Sequence, residues 1–170
     1  MWAAELAWCE GLIAQDGRNN SAWGWRWYLR MARPDAEGAA APNSEIEYAL
    51  NEIHRIPHNL SAWNYLRGVL RASSLPRAPL LPVLAPYMAG AAVDLPPHNV
   101  EDTASWPART APVSKNTPTP VAPALEFLAD ALVEMGKKTD AALVFAQLAN
   151  EADQMRAAYW TMRRGECYAP

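Results

Sequence analysis

The pentapeptide Asn19-Asn20-Ser21-Ala22-Trp23 returns forty positions later as Asn59-Leu60-Ser61-Ala62-Trp63. The correspondence at this offset covers about thirty residues in each copy, and further matched pairs are Glu5 and Glu45, Leu6 and Ile46, Trp8 and Tyr48, Ile13 and Ile53, Trp25 and Tyr65, and Leu29 and Val69. Repeats of roughly 20–50 residues are typical of stacked supersecondary units, each of which buries its apolar face against the next. The sequence therefore predicts a repeat protein.

Each copy has the pattern of two helices joined by a tight turn. In the second copy, Ser44 and Glu47 have the spacing of a capping box at a helix start. Pro57 ends that helix, because the residue before a proline is disfavoured in the α region, and Asn59 or Ser61 caps the next helix. Apolar residues recur at helical spacing on both helices of each copy. We predict an all-α fold of stacked antiparallel helical hairpins, an α-α superhelix.

Beyond the second copy the composition changes. Eleven of the fifteen prolines lie between Pro76 and Pro123. Helical periodicity resumes at Pro123, and Gly136 is expected to stop the first helix of this part. The predicted organisation is two hairpin repeats over 1–73, a Pro-rich connector with room for a short helix over 74–93, a disordered insertion over 94–122 and helices completing the superhelix over 123–170.

Composition and charge exclude several classes of function. The net charge is −3, and the 12 Arg and 3 Lys are scattered, which argues against a nucleic-acid surface. No stretch approaches the ~20 apolar residues of a membrane helix. The start resembles no secretory signal, so a cytoplasmic location is expected, with Cys9 and Cys167 as small thiols rather than a disulfide. Because the chain opens directly in an apolar helix, we expect it to be truncated at its N-terminus or completed by another chain.

The motifs of the two copies resemble a known family. The Asn-x-x-x-Trp-x-x-Arg pattern of Asn19, Trp23 and Arg26 resembles the repeat of protein prenyltransferase α subunits, although Leu66 stands at the arginine position of the second copy. The string from Pro57 to Gly68 is similar to the penultimate helical unit of the α subunit shared by farnesyltransferase and type I geranylgeranyltransferase. The tail from Asp153 to Arg164 is similar to the final helix of that subunit.

This resemblance implies a role in a heterodimer. The family's α subunit is a crescent of helical hairpins around a β subunit, which binds the catalytic zinc and most of the isoprenoid. The assembled enzyme would transfer a farnesyl or geranylgeranyl group to a cysteine near the C-terminus of a target protein, in a CaaX sequence. Zinc and magnesium are expected on or with the β subunit, with no cofactor on this chain. The lysine that touches the diphosphate belongs to earlier repeats without a counterpart here, so this chain alone is expected to be inactive.

The candidate site residues are therefore repeat-motif positions that could also meet the partner. They are Asn19, Trp23, Arg26, Asn59, Trp63 and Tyr65. The tryptophans are expected to pack between hairpins rather than form a stacking platform, and the asparagines to cap helices. Arg26 is expected to pair with an acid of the neighbouring hairpin or of the partner, and the sequence favours neither.

No metal site is predicted at His54 and His58, because Pro57 breaks the helix between them. No catalytic residue is predicted in this chain. Two rival interpretations remain open: a Rab-type geranylgeranyltransferase α subunit, and a generic tetratricopeptide-like interaction scaffold, whose period is nearer 34 residues.

Overall fold

Helices make up the regular structure of this protein, which we describe from a computed structural model covering residues 2–32, 41–95 and 119–169. No strand occurs within those ranges. The helices pair as antiparallel hairpins, so the predicted fold class is confirmed. The chain divides into two compact units, Met1–Leu75 and Pro76–Pro170. The boundary places most of the predicted connector in the C-terminal unit.

The first hairpin of the N-terminal unit consists of α1, Trp2–Gln15, and α2, Asn20–Trp27. Helix α2 continues as a π-helical turn, Tyr28–Ala32. The link between the two helices is short and ordered, and the Asn19 backbone N–H donates to the Asp16 carbonyl at 3.0 Å.

The second hairpin consists of α3, Pro42–Arg55, and α4, Leu60–Ala72. Helix α3 ends before Pro57, as predicted. The predicted capping box is wrong, because α3 begins at Pro42, whose fixed φ favours the first helical position. The Ser44 hydroxyl instead donates to the Ala41 carbonyl at 2.9 Å. The apolar stripe of α3 is buried: Ile46, Leu50 and Ile53.

The C-terminal unit opens with a short helical segment where the sequence left room for one. It comprises a 3₁₀ turn, Ala78–Leu80, then α5, Leu81–Leu84, then a second 3₁₀ turn, Ala85–Met88. Of the predicted insertion 94–122, residues 96–118 lie outside the described residues. Near the end of the predicted insertion, the Val121 N–H donates to the Tyr87 carbonyl at 2.9 Å.

Two longer helices follow, α6, Ala122–Glu134, and α7, Lys138–Gln147, which continues as a π-helical turn, Leu148–Ala152. Gly136 ends α6 as predicted, with a φ of 74°. The Lys137 N–H reaches the Leu132 carbonyl at 2.8 Å. This six-to-one bond is the Schellman ending that a left-handed residue permits.

The last helix, α8, is Ala157–Glu166, preceded by a 3₁₀ turn, Gln154–Arg156. Three apolar residues at helical spacing in this segment, Met155, Tyr159 and Met162, are exposed, and Met155 is 100% exposed. Helix α8 is anchored instead by Trp160, whose ring is buried and stacks on Phe145 with the ring centroids 6.2 Å apart. The Trp160 indole N–H donates to an Asp153 carboxylate oxygen at 3.1 Å.

Candidate functional site

Trp23 and Trp63 occupy equivalent places in the two hairpins. The Trp23 indole N–H donates to the Gly17 carbonyl at 2.9 Å, and the Trp63 indole N–H donates to the Pro57 carbonyl at 2.8 Å. The exposed fractions of the two residues are 3% and 0%. Each ring therefore holds the turn of its own hairpin and is packed into the core.

Asn19 and Asn59 cap α2 and α4. The Asn19 side-chain oxygen accepts from the Ala22 N–H at 3.2 Å, and the Asn59 oxygen accepts from the Ser61 N–H at 3.1 Å. The Asn59 amide nitrogen also donates to the Gly17 carbonyl at 2.5 Å. The cap of the second hairpin is thereby tied to the turn of the first.

Arg26 lies at the centre of a buried ion cluster between the two hairpins. Its Nε and Nη2 donate to the Glu45 carboxylate at 3.0 and 2.8 Å, and its Nη1 pairs with Glu10. The same carboxylate accepts from Arg30 Nε at 2.6 Å and from the Tyr65 hydroxyl at 2.6 Å. Arg26 is 3% exposed and Glu45 is fully buried. The structure thus pairs Arg26 with acids of its own chain; contact with a partner stays a prediction.

The protonation of this cluster follows from its geometry. Burial raises the pKa of Glu45, but the Tyr65 hydrogen bond and the charges of Arg26 and Arg30 outweigh it, so the pKa is below its ordinary value. Burial and the Glu45 carboxylate raise the pKa of the Tyr65 hydroxyl, which therefore stays a donor. Burial raises the pKa of Tyr48 to about 12, and its ring lies 3.5 Å below the Arg26 guanidinium. The groups satisfy one another, so the cluster holds two hairpins in register.

A groove between α2 and α4 includes the candidate residues Trp23 and Tyr65 in its lining, and its volume is about 270 Å³. It is lined by Asn20, Trp23, Gly24, Trp27, Ser61, Asn64, Tyr65, Gly68 and Arg71. Gly68 lets the Trp27 ring lie close, since a Cβ there would be 3.0 Å from a ring carbon. The floor of the groove is aromatic, and its rim carries the exposed side chains of Asn20, Asn64 and Arg71.

Within residues 2–32, 41–95 and 119–169, no three His, Cys, Asp or Glu side chains are grouped to hold a metal ion. Cys9 and Cys167 are free, buried thiols whose pKa values are raised by burial. In the part of the chain that the structure describes, no helix is long and apolar enough to cross a membrane.

Sequence reasoning missed the acids and the second arginine of the ion cluster. Glu45 and Tyr48 were noted only as matches to Glu5 and Trp8, although a charged residue that recurs at the same position of a repeat is a signal of a buried pair. Glu10 and Arg30 could not be found in this way, because leucines stand forty positions later at 50 and 70.

The first hairpin matches one family of repeats. Residues 2–32 match the family model of the protein prenyltransferase alpha subunit repeat. This range holds Asn19, Trp23 and Arg26, whose contacts build the turn and the ion cluster. The N-terminal hairpin is thus similar to a prenyltransferase α-type repeat, as its motif predicted.

The curated relatives narrow this resemblance. Over 74 residues the chain is 38% identical to the protein farnesyltransferase/geranylgeranyltransferase type-1 subunit alpha of Pisum sativum, covering 43% of this chain and 22% of that protein. Over 75 residues it is 33% identical to the protein of that name from Dictyostelium discoideum, covering 44% of this chain and 23% of that protein. The predicted resemblance is confirmed. These matches span less than a quarter of the relatives' length.

A solved structure shares the fold. The Candida albicans protein geranylgeranyltransferase-I complexed with GGPP has a chain that matches 97% of this one with a TM-score of 0.71. The sequence identity is 23%, and 47% of that chain is covered. At this identity the likeness establishes a common helical architecture.

Proposed function

We propose that this chain is part of the α subunit of a heterodimeric protein prenyltransferase and acts as a scaffold for a catalytic β subunit. The observation that carries the proposal is the match of residues 2–32 to the prenyltransferase alpha subunit repeat. The curated relatives support a farnesyltransferase or type I geranylgeranyltransferase rather than a Rab-type enzyme. No observation favours a tetratricopeptide-like scaffold.

In this proposal the assembled, cytoplasmic enzyme transfers a farnesyl or geranylgeranyl group from its diphosphate to a CaaX cysteine. Zinc and magnesium would be held on or with the β subunit, and zinc there would lower the pKa of the cysteine thiol and so supply a thiolate nucleophile. The residues of this chain bind and position the β subunit.

The groove between α2 and α4 is the proposed contact for β. Trp27 is half-buried there, and the exposed side chains of Asn64 and Arg71 stand on the rim. Partly exposed aromatic and arginine side chains are typical anchors of protein interfaces. An acidic or amide-bearing segment of β would find an apolar floor and polar edges in this groove.

The experiment measures binding of a purified farnesyltransferase β subunit by analytical ultracentrifugation. The parent chain should bind weakly, because it covers only part of its relatives' length. The double variant Asn64→Ala/Arg71→Glu should weaken binding by about tenfold or more, the usual loss at a central interface contact. Arg18→Glu makes the same charge change at an exposed position outside the groove and should bind like the parent. Equal binding by all three proteins would remove the groove from the interface, and no binding by the parent would contradict the proposed function.

A further inference from the structure

A helical glycine opens the groove between α2 and α4. Gly24 lies in the interior of α2 and lines this groove. A glycine in a helix interior lowers the folded-to-unfolded ratio about four- to fivefold relative to alanine. A Cβ at position 24 would meet no atom within 4 Å, so no neighbour in the described part of the chain requires the glycine. Its effect is to leave an open recess in the groove, which is here called the recess over Gly24.

Gly68, on the facing helix α4, has a cause within the chain. A Cβ at position 68 would lie 3.0 Å from a carbon of the Trp27 ring. The glycine thus lets this ring lie across α4, and Trp27 remains half-buried in the lining of the groove. Because residues three apart on a helix are neighbours, the ring forms a wall of the recess over Gly24.

The charge of the groove comes from Arg71. Arg71 is exposed, and it is the one charged residue among the described residues that line the groove. Its guanidinium group forms no ion pair with a residue that the structure describes. In a chain whose net charge is −3, an apolar recess with a positive edge is complementary to an apolar side chain beside a carboxylate.

The size of the groove fits a protein side chain. Its volume of about 270 Å³ lies below the roughly 300–1,000 Å³ that is usual for small-molecule sites. Its floor is closed by Trp23 and Tyr65, which are 3% and 5% exposed. An aromatic or aliphatic anchor that fills such a pocket is the usual centre of a protein interface.

Given the proposed function, on which this inference rests, we propose that the recess over Gly24 receives one large apolar side chain of the β subunit. An acidic residue of the same β segment pairs with Arg71. The apolar side chain lies against the Trp27 ring, and the missing Cβ of Gly24 lets it reach the aromatic floor. Gly24 therefore determines which β segment this groove accepts, and Arg71 fixes the orientation of that segment.

A single methyl group tests the recess. Gly24→Ala should raise the folded-to-unfolded ratio about four- to fivefold, because alanine is the better helix former and the added methyl meets no neighbour. The same methyl group takes space that the β side chain needs. The affinity for a purified farnesyltransferase β subunit should therefore fall at least about fivefold, as overpacking does in a filled core. A variant that folds better and binds worse cannot owe its loss of binding to misfolding.

Gly11→Ala is the matched control. Gly11 lies in the interior of α1, where a Cβ would also meet no atom within 4 Å, and it is not part of the groove. This variant should gain stability to a similar extent and bind β like the parent. Urea denaturation measures the stabilities, and analytical ultracentrifugation measures the dissociation constants.

Crosslinking identifies the β segment. Benzoylphenylalanine in place of Asn20, on the rim of the groove, should crosslink to β when the complex is irradiated, and mass spectrometry of the crosslinked peptide locates the attachment. We expect a large apolar residue there, with an Asp or Glu within about one helical turn. Arg71→Glu should weaken binding, and exchanging that β acid for arginine should restore it, because the pair is then reversed.

Equal binding by Gly24→Ala and the parent would overturn the inference and leave the proposed function standing. A crosslinked β peptide without an acidic residue, or a charge exchange that restores nothing, would do the same. Loss of binding by Gly11→Ala as well would show that helix stability rather than the recess governs the affinity. If the parent chain self-associates without β and Gly24→Ala does not, a second copy fills the recess instead. No binding of β by the parent chain would contradict the proposed function and this inference together.

Discussion

Replacing Glu45 by glutamine should be the most damaging conservative change in the N-terminal unit. The carboxylate is fully buried and accepts hydrogen bonds from Arg26, Arg30 and Tyr65. Glutamine has the same shape but no charge, and one of its two terminal groups can only donate. Arg26, at 3% exposed, would be left with Glu10 as its one acidic neighbour in the cluster.

The expected loss of stability follows from the burial of the Arg26–Glu45 ion pair. Removing one partner of a buried ion pair costs about 3–5 kcal/mol, because the other charge stays desolvated. A unit of the size of Met1–Leu75 is expected to have a total stability of about 4–11 kcal/mol. Urea denaturation followed by tryptophan fluorescence should therefore show Glu45→Gln losing between about a quarter and all of the unit's stability.

A double-mutant cycle checks the reasoning. Arg26→Met alone should be similarly costly, but Arg26→Met/Glu45→Gln should cost clearly less than the sum, since no buried charge is then left unpaired. The charge of Arg30 should add little to the cost of the double variant, because its side chain is 27% exposed and can turn to solvent. A loss below about 1 kcal/mol for Glu45→Gln, or strict additivity, would refute the buried-cluster account.

The remaining predictions concern single features of the fold and the activity. Trp63→Ala should cost about 3–5 kcal/mol in urea denaturation, because its ring is fully buried; a near-zero loss would favour a surface stacking role. Ser74 has a φ of 53°, so Ser74→Gly should raise the free energy of unfolding by about 1 kcal/mol, whereas Ser73→Gly, at a φ of −96°, should not. The difference in the free energy of unfolding between the parent and Glu45→Gln should shrink on acidification, because the folded-state pKa of Glu45 lies below its ordinary value of 4.5. Its stabilisation is fully present above that pH and is lost as the pH falls through the folded-state pKa; melts at about pH 7 and about pH 3 test this, and an unchanged difference would contradict it. The chain alone, given zinc, magnesium and labelled farnesyl diphosphate, should transfer no label to a CaaX peptide, and turnover would require a catalytic site not recognised in this chain.

The hairpins could be predicted because their signals are local. Each asparagine cap lies next to the helix that it starts, and Pro57 and Gly136 end helices through their own backbone restrictions. The start of α3 was misplaced because a proline at the first helical position competed with a capping box two residues later. Periodicity alone does not identify the buried face of α8, because the segment has two apolar faces: Trp160 is buried, whereas Met155, Tyr159 and Met162 are exposed.

Glu10 and Arg30, two members of the ion cluster, could not be predicted, because a comparison of the two copies reveals only positions that stay the same. An interface between neighbouring repeats joins one face of a repeat to the opposite face of the next, so its partners lie at different positions. Glu45 recurs as Glu5, but Arg26 and Glu10 are replaced in the second hairpin by Leu66 and Leu50, which are both buried. That joint replacement removes a positive and a negative charge together and keeps the interior neutral. The departure from the motif at Leu66 is therefore informative: it indicates that the second hairpin is apolar where the first hairpin is charged.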